Sequence, residues 1–199
     1  MHTLNCEKNR FFVITGAPGS GKTALIEELK KRGYRCIEEV ARQIIKEQMS
    51  IGGDALPWKN VKCFKEMILA RSIETYQQAM KSAQEITFFD RDILDLIAYN
   101  RLTKTEHSED LQNAVRMFVY NNKVFILPPW EEIYCSDNER KQTYEEAVSI
   151  YYNLRKVYLE RGHSSRSFIS IDERMILADV KEIGCCLIVY STVQILTFK

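Results

Sequence analysis

The sequence lacks an excess of charge of either sign, because 28 lysines and arginines balance 27 aspartates and glutamates to a formal net charge of +1. Without a general basic field, we do not expect a nucleic-acid partner. The N-terminus lacks the apolar core of a secretory signal. The most apolar stretch, residues 184–198, contains Ser191, Thr192 and Gln194 and is short for a membrane span. We therefore expect a cytoplasmic protein without membrane contact.

The cysteines lack the spacing of a metal site. No C-x-x-C pair occurs, and no histidine lies at zinc-ligand spacing from any cysteine. The simplest interpretation is a set of free thiols in a reducing cytosol. The six cysteines are Cys6, Cys36, Cys63, Cys135, Cys185 and Cys186.

The sequence also lacks internal repeats, low-complexity tracts and domain linkers, so we expect one domain over residues 1–199. Strand-like and helix-like segments alternate, which is typical of an α/β fold with a parallel sheet covered on both faces. Strands are predicted at residues 10–15, 34–37, 86–89, 124–127 and 167–171. Helices are predicted at residues 22–32, 39–49, 59–81, 92–100, 143–160 and 173–183, with a further helical stripe at Leu111, Val115, Phe118 and Val119.

A glycine-rich segment between the first strand and the first helix matches the pattern G-x-x-x-x-G-K-[ST]. It reads Gly16-Ala17-Pro18-Gly19-Ser20-Gly21-Lys22-Thr23. Backbone N–H groups of such a loop surround phosphate oxygens, Lys22 reaches the β- and γ-phosphates, and the Thr23 hydroxyl ligates Mg²⁺. A glycine-rich turn without function is the alternative, which the flanking strand and helix disfavour. We expect ATP with Mg²⁺, because no guanine-reading N-K-x-D motif is present.

Acidic residues follow the second and third predicted strands, and ligands of open parallel sheets bind at the carboxyl ends of the strands. Asp90 is predicted to hold the Mg²⁺ shell. Alternatively, Asp90 or Asp92 caps the next helix. Arg91 contacts either a phosphate or a neighbouring acid.

Glu39 follows the second strand and is predicted to act as the base that orients and deprotonates an acceptor hydroxyl. Alternatively, its charge favours the dipole of the following helix. Arg42, three residues later, is predicted to bind a substrate anion.

Residues 128–142 form the one polar stretch long enough for a functional loop, and we expect them to act as a lid. Arg140 and Lys141 are the candidates to stabilise transition-state charge. A solvated polar loop is the alternative. Trp130 is interpreted as a packing anchor, with a base-stacking platform as the alternative.

From residue 11 to about 162 the chain resembles the small AAA-like P-loop ATPases that are grouped near nicotinamide riboside kinase and the deoxynucleoside kinases. The matching motifs are VITGAPGSGKT at 13–23, EVARQII at 39–45, GDALPW at 53–58, FFDR at 88–91 and LPPWEEIY at 127–134. The resemblance implies a three-layer P-loop fold with a five-stranded parallel sheet of order 2-3-1-4-5. It also implies a lid around Arg140, with Glu39 and Asp90 facing the phosphates. It implies no particular substrate.

The C-terminal tail, residues 184–199, departs from this family pattern with an apolar, β-prone segment. An extra strand that covers the core is the simplest interpretation, and an oligomer contact or a diverged sequence are the alternatives. The oligomeric state stays open.

Together these features predict an ATP-dependent phosphotransferase that acts on a hydroxyl of a nucleoside-like or other small metabolite. The alternative is a stand-alone Mg²⁺-dependent ATPase that acts as a switch on a protein or nucleic-acid partner. The predicted catalytic residues are Lys22, Glu39, Asp90 and Arg140, and the predicted substrate contacts are Glu39, Arg42 and Arg91.

Overall fold

The computed structural model of the protein describes residues 10–81, 86–129, 131, 143–163 and 168–169. Strands and helices alternate through this part of the chain, as predicted. The strands are β1 Phe11–Gly16, β2 Arg35–Ile37, β3 Thr87–Asp90, β4 Val124–Leu127 and β5 Phe168–Ile169. The helices are α1 Lys22–Lys31, α2 Val40–Ile51, α3 Val61–Lys81, α4 Ile93–Leu102, α5 Glu109–Met117 and α6 Tyr144–Glu160.

Three predicted features lie outside the described residues. They are the helix at 173–183, the apolar tail at 184–199, and all of the lid except Pro128, Pro129 and Glu131.

The strands pair in parallel, and β1 lies between β3 and β4. Because β2 pairs with the far side of β3, the four longer strands have the order β2-β3-β1-β4. The predicted order 2-3-1-4-5 is confirmed, whereas the predicted five-stranded sheet has four strands of three or more residues. In the described part of the chain the fifth position is taken only by the two residues of β5, which pair with Val124 and Phe125.

Helices cover both faces of the sheet, which gives the fold three layers. Successive strand residues point to opposite faces, so Val13 packs with residues of α4, α5 and α6 while Ile14 packs with Leu25 and Leu29 of α1. All four side chains are buried, and burial of such a side chain stabilises a fold by roughly 1.5–3 kcal/mol. Burial on both faces explains why β1 is continuously apolar rather than alternating.

An aromatic cluster attaches α3 to the end of the sheet away from the glycine-rich loop. The rings of Phe11 and Tyr76 meet edge to face with centroids 5.2 Å apart. The Tyr76 hydroxyl donates to the carbonyl of Val119 at 2.7 Å. The helical stripe was predicted to include Phe118 and Val119, but α5 ends at Met117. The ring of Phe118 packs against Tyr76 in this cluster instead.

Among the described helices, none combines the length and the apolar character that crossing a bilayer requires.

Candidate functional site

The loop from Gly16 to Thr23 connects β1 to α1 at the carboxyl edge of the sheet. Gly21, the residue before α1, has φ 79° and ψ 7°, a left-handed conformation that glycine adopts without a steric penalty. A Cβ on Gly16 would lie 2.5 Å from the carbonyl oxygen of Leu127 and 2.9 Å from Ser20 Oγ. The loop therefore needs glycine at both positions, and it ends at the N-terminus of a helix, where free N–H groups attract phosphate.

Lys22 is buried, and its ammonium group is folded back onto the loop. Its Nζ donates to the carbonyl oxygens of Gly16 and Ala17 at 3.1 and 3.0 Å. Burial, together with the positive charge of Arg91, lowers the pKa of Lys22 to about 8. The group is therefore still mainly a cation at neutral pH, held by neutral carbonyls that an anionic phosphate oxygen can replace with a stronger bond.

The Arg91 guanidinium joins three elements beside the loop. It donates through Nε to Glu39 Oε1 at 3.0 Å, through Nη1 to Asp95 Oδ1 at 3.0 Å, and through Nη2 to the carbonyl of Gly16 at 3.2 Å. Burial disfavours the charged guanidinium, but Glu39 and Asp95 outweigh burial and raise the pKa of Arg91. The structure thus shows the predicted pairing with acids, whereas a phosphate contact of Arg91 stays a prediction.

Asp90, the last residue of β3, has a buried Oδ1 without a hydrogen-bond partner among the described residues. Burial and the Glu39 carboxylate raise the pKa of Asp90 to about 6, although Lys22 and Arg91 act in the opposite direction. A buried polar atom without a partner is costly and indicates a place for a ligand.

The predicted Mg²⁺ fits this position, because Mg²⁺ prefers oxygen ligands and is commonly held by one or two protein groups together with substrate phosphates. The unpaired Asp90 oxygen supplies one such group, and the Thr23 hydroxyl is exposed at the start of α1. In the described ranges, no group of three or more His, Cys, Asp or Glu residues forms a self-contained metal site.

Glu39 occupies the N-cap position of α2 but its side chain makes no capping hydrogen bond. It is directed toward Arg91 instead. Burial acts to raise the pKa of Glu39, but Arg91, Lys22 and Arg42 outweigh it and hold that pKa below its ordinary value. Glu39 is therefore an ionised carboxylate at neutral pH. The preceding residue, Glu38, is exposed and pairs with Lys30 at 2.6 Å.

Sequence reasoning missed a buried polar network behind Arg91. Asp92 caps α4, as one of the predicted alternatives had it, and forms a capping box with Asp95. The Tyr158 hydroxyl from α6 donates to Asp92 Oδ1 at 2.6 Å and to Asp95 Oδ2 at 3.0 Å. The spacing of Asp95, three residues after Asp92 and four after Arg91, is a signal for both contacts. No local pattern points to Tyr158.

A cavity of about 620 Å³ opens next to these groups, between α2, α3, α4 and α6. Pro18 of the loop, Glu39, Asp90 and Arg91 line its inner end. The volume is within the range of small-molecule binding sites. The walls beyond the inner end are mainly apolar and include Phe64, Ile68, Tyr99, Leu102, Ile150 and Leu154.

The structure brings together Lys22, Glu39, Asp90 and Arg91 of the predicted site residues. Arg42 is exposed and is not among the residues that line the cavity. Arg140 lies outside the described residues, so its role in a lid stays a prediction.

The arrangement of sheet, loop and covering helices is the fold of the P-loop kinases. A family model described as an AAA domain matches residues 11–174. The chain therefore belongs to this AAA domain family. No curated protein matches the sequence.

Three solved structures illustrate the similarity of fold. A crystal structure of NadR protein in complex with NR has a TM-score of 0.60 and 16% identity, over 83% of this chain and 46% of that chain. Thymidylate kinase from Candida albicans has a TM-score of 0.58 and 15% identity, over 92% and 93% of the two chains. Deoxyadenosine kinase from M. mycoides with bound dATP has a TM-score of 0.53 and 16% identity, over 89% and 98%. The chain thus spans about half the length of the NadR chain.

Proposed function

We propose that this protein is an ATP-dependent phosphotransferase that moves the γ-phosphoryl group of ATP to a hydroxyl group of a nucleoside-like or other small metabolite. The observation that carries the proposal is the cavity that opens onto Glu39 and Asp90 beside the loop. A switch ATPase needs room for ATP and a water molecule, whereas a phosphotransferase needs a second small-molecule site at the phosphates.

In this proposal the loop Gly16–Thr23 holds the triphosphate through its backbone N–H groups. Lys22 exchanges the carbonyls of Gly16 and Ala17 for β- and γ-phosphate oxygens. Thr23 and Asp90 hold Mg²⁺, which when bound neutralises negative charge on the phosphates. Filling the space beside Asp90 Oδ1 also removes the cost of its missing partner.

Glu39 is the proposed base. Its ionised carboxylate lines the inner end of the cavity, where an acceptor hydroxyl can meet the γ-phosphate. The hydroxyl oxygen bonds to the γ-phosphorus, the bond from that phosphorus to the bridging oxygen breaks, ADP leaves, and the hydroxyl proton passes to Glu39. Arg91 positions this carboxylate through the 3.0 Å bond from Nε.

Arg42 and Arg140 complete the proposal. Arg42 is near enough to Glu39 to lower its pKa, and from the exposed face of α2 it is proposed to bind an anionic group at the mouth of the site. Arg140 is proposed to stabilise the transferred phosphoryl group from the lid.

The structural neighbours support the proposal at the level of the kinase fold. Thymidylate kinase and deoxyadenosine kinase match over nearly their whole length, and the deoxyadenosine kinase structure holds dATP. The NadR structure holds NR.

The test is ADP formation by the full chain with Mg²⁺ and ATP, with and without a panel of nucleosides and sugars, followed by mass spectrometry of the acceptors. Stimulation by an acceptor that gains one phosphate supports the proposal. Steady ADP release that no acceptor changes refutes it in favour of the ATPase alternative. Calorimetry with Mg·ATP and Mg·GTP on the same sample establishes nucleotide binding independently of turnover.

A further inference from the structure

Arg91 is attached to the end of β1 through both its backbone and its side chain. Its N–H donates to the carbonyl of Ile14 at 3.0 Å, and its Nη2 donates to the carbonyl of Gly16 at 3.2 Å. The φ of Arg91 is 69°, in the left-handed region that residues other than glycine rarely adopt. A residue keeps such a conformation only where its surroundings fix it, which is most common at functional sites.

The direction of the Glu39 carboxylate depends on Arg91. Among the side chains that the structure describes, Arg91 donates the hydrogen bond that this carboxylate accepts, from Nε at 3.0 Å. Glu39 begins α2 without a capping bond, so the helix does not orient the carboxylate. The Gly16 carbonyl that holds Arg91 also accepts from Lys22. A shift of Arg91 would therefore move the candidate base relative to the phosphate loop.

Asp95 holds another side of the same guanidinium. Its Oδ1 accepts from Arg91 Nη1 at 3.0 Å. Asp95 is itself bound from two further elements, because Thr15 of β1 donates its hydroxyl to Oδ1 and Tyr158 of α6 donates its hydroxyl to Oδ2. Thr15, Asp95 and Tyr158 are all buried, where a hydrogen bond is stronger than in water.

The helix cap accounts for only one of the two Asp95 oxygens. Oδ2 accepts the N–H of Asp92 at 3.2 Å in the capping box of α4. Oδ1 takes no part in that bond, and its partners are Arg91 and Thr15. This division of the two oxygens indicates a second role for Asp95 besides the cap.

We propose, on the basis of the phosphotransferase function above, that Asp95 is a positioning residue of the reaction. Fixed by Thr15 and Tyr158, it holds Arg91, and Arg91 keeps Glu39 aligned with the phosphate at the loop. An error of about 1 Å in such an alignment can slow a reaction roughly 10²-fold. The network therefore governs the rate of transfer rather than the binding of ATP.

The test removes single donors to Asp95, because replacing Asp95 itself disturbs four hydrogen bonds at once. Tyr158→Phe keeps the ring and removes the hydroxyl that donates to Asp95 and Asp92. Thr15→Val keeps the shape of the side chain and removes the other hydroxyl donor, on Oδ1.

Tyr76→Phe is the matched control for Tyr158→Phe. Tyr76 is also buried, and its hydroxyl donates to the carbonyl of Val119 at 2.7 Å. It belongs to the aromatic cluster at the end of the sheet away from the loop. Both substitutions remove a buried tyrosine hydroxyl, so a loss of packing or stability alone would affect the two variants alike.

We expect Tyr158→Phe and Thr15→Val each to lower kcat for phosphoryl transfer about tenfold while KM for ATP is unchanged. Tyr76→Phe should leave both constants within about twofold of wild type. The assay is ADP formation with the acceptor found in the test of the proposed function. Urea unfolding of all three variants checks that each is folded.

A second measurement needs no acceptor. In protein labelled with ¹⁵N-arginine, the Nε–H signal of Arg91 is assigned by its loss in Arg91→Lys. We expect this signal to shift or broaden in Tyr158→Phe and to stay in place in Tyr76→Phe, because only the first substitution loosens the anchor of the guanidinium.

Equal kinetic effects of the two tyrosine variants, or an Arg91 signal that Tyr158→Phe leaves unchanged, overturn the positioning role while the proposed function stands. A raised KM for ATP or for the acceptor at unchanged kcat also overturns it, since the network would then serve binding. If wild type forms no ADP in response to any acceptor, the proposed function fails and this inference fails with it.

Discussion

Replacing Asp95 by asparagine changes little in shape but breaks the network behind Arg91. The two carboxylate oxygens of Asp95 accept four hydrogen bonds. Oδ1 accepts from Thr15 Oγ1 and from Arg91 Nη1, and Oδ2 accepts from the N–H of Asp92 at 3.2 Å and from the Tyr158 hydroxyl at 3.0 Å. Asparagine has one acceptor oxygen, so its NH₂ group must face two of these donors.

The structure sets the size of the effect. Asp95 is buried, and Arg91 is its charged partner at 3.0 Å. Removal of one member of a buried pair costs about 3–5 kcal/mol. Arg91 keeps Glu39 as a partner, but it loses one of its two acids, and the buried hydroxyls of Thr15 and Tyr158 lose an acceptor. We expect Asp95→Asn to lower the free energy of unfolding by about that amount, a large share of the roughly 5–15 kcal/mol of a typical domain.

Asp92→Asn is the matched control. Asp92 Oδ1 accepts the N–H groups of Leu94 and Asp95 and the hydroxyl of Tyr158, and an asparagine oxygen can keep all three. Burial and the neighbouring Asp95 raise the pKa of Asp92 well above its ordinary value, so loss of the Asp92 charge removes an unfavourable burial of charge. Asparagine is also as good an N-cap as aspartate. We expect a loss below about 1 kcal/mol.

Urea unfolding curves at pH 7, followed by far-UV circular dichroism, measure the unfolding free energy of both variants. The comparison is valid when the dependence of that free energy on urea concentration is the same in wild type and variants. A stability of Asp95→Asn within about 1 kcal/mol of wild type refutes the reasoning, as does a larger loss in Asp92→Asn than in Asp95→Asn.

Three further predictions concern the groups at the loop. Lys22→Ala should reduce ADP formation by more than about 10²-fold through lost charge stabilisation, and near-normal turnover in a folded variant contradicts the phosphate-loop role. Glu39→Gln should slow phosphoryl transfer by about 10²–10⁴-fold without changing KM for ATP. The control Glu38→Gln removes an exposed partner of Lys30 and should leave the transfer rate unchanged. If Glu39→Gln loses affinity for ATP instead, Glu39 has a structural role or belongs to the metal shell. The pKa of Asp90 is about 6 rather than its ordinary 3.8, so between these values the folded state binds more protons than the unfolded state and stability falls as pH rises. Asp90→Asn should therefore raise the unfolding free energy of the ligand-free protein by about 1–3 kcal/mol at pH 8 and by little at pH 4. Denaturation curves at both pH values measure the change, and equal changes at the two pH values contradict a raised pKa of Asp90.

Local sequence patterns predicted much of the fold. The bounds of β4 match the prediction, because a buried strand is a short apolar run that Pro128 and Pro129 end. The helix at Lys22–Lys31 was predicted to within one residue, since its apolar face repeats at helical spacing and Gly33 follows its end. Element ends that depend on distant contacts were less accurate, as at Phe118, whose ring packs against Tyr76 of α3.

The partners of the site residues were harder to predict. The sequence does not decide whether Arg91 contacts a phosphate or an acid. Nothing near Arg91 in the sequence shows that Glu39, 52 residues away, lies 3.0 Å from its Nε. The same holds for Tyr158, which is 63 residues from Asp95. Arg42 shares a helix with the cavity residues Ala41 and Ile45 but is exposed, because one face of α2 points away from the cavity.

By itself, the sequence determined the glycine-rich loop, the strand before it and the helix after it, because backbone conformation there depends on residues within one turn. It also placed acids after β2 and β3 in chain order. Only the tertiary structure decided that Arg91 bonds Glu39, that an oxygen of Asp90 is buried without a partner among the described residues, and that acids line the cavity. Those properties depend on burial and on distances between segments that only the parallel sheet brings together.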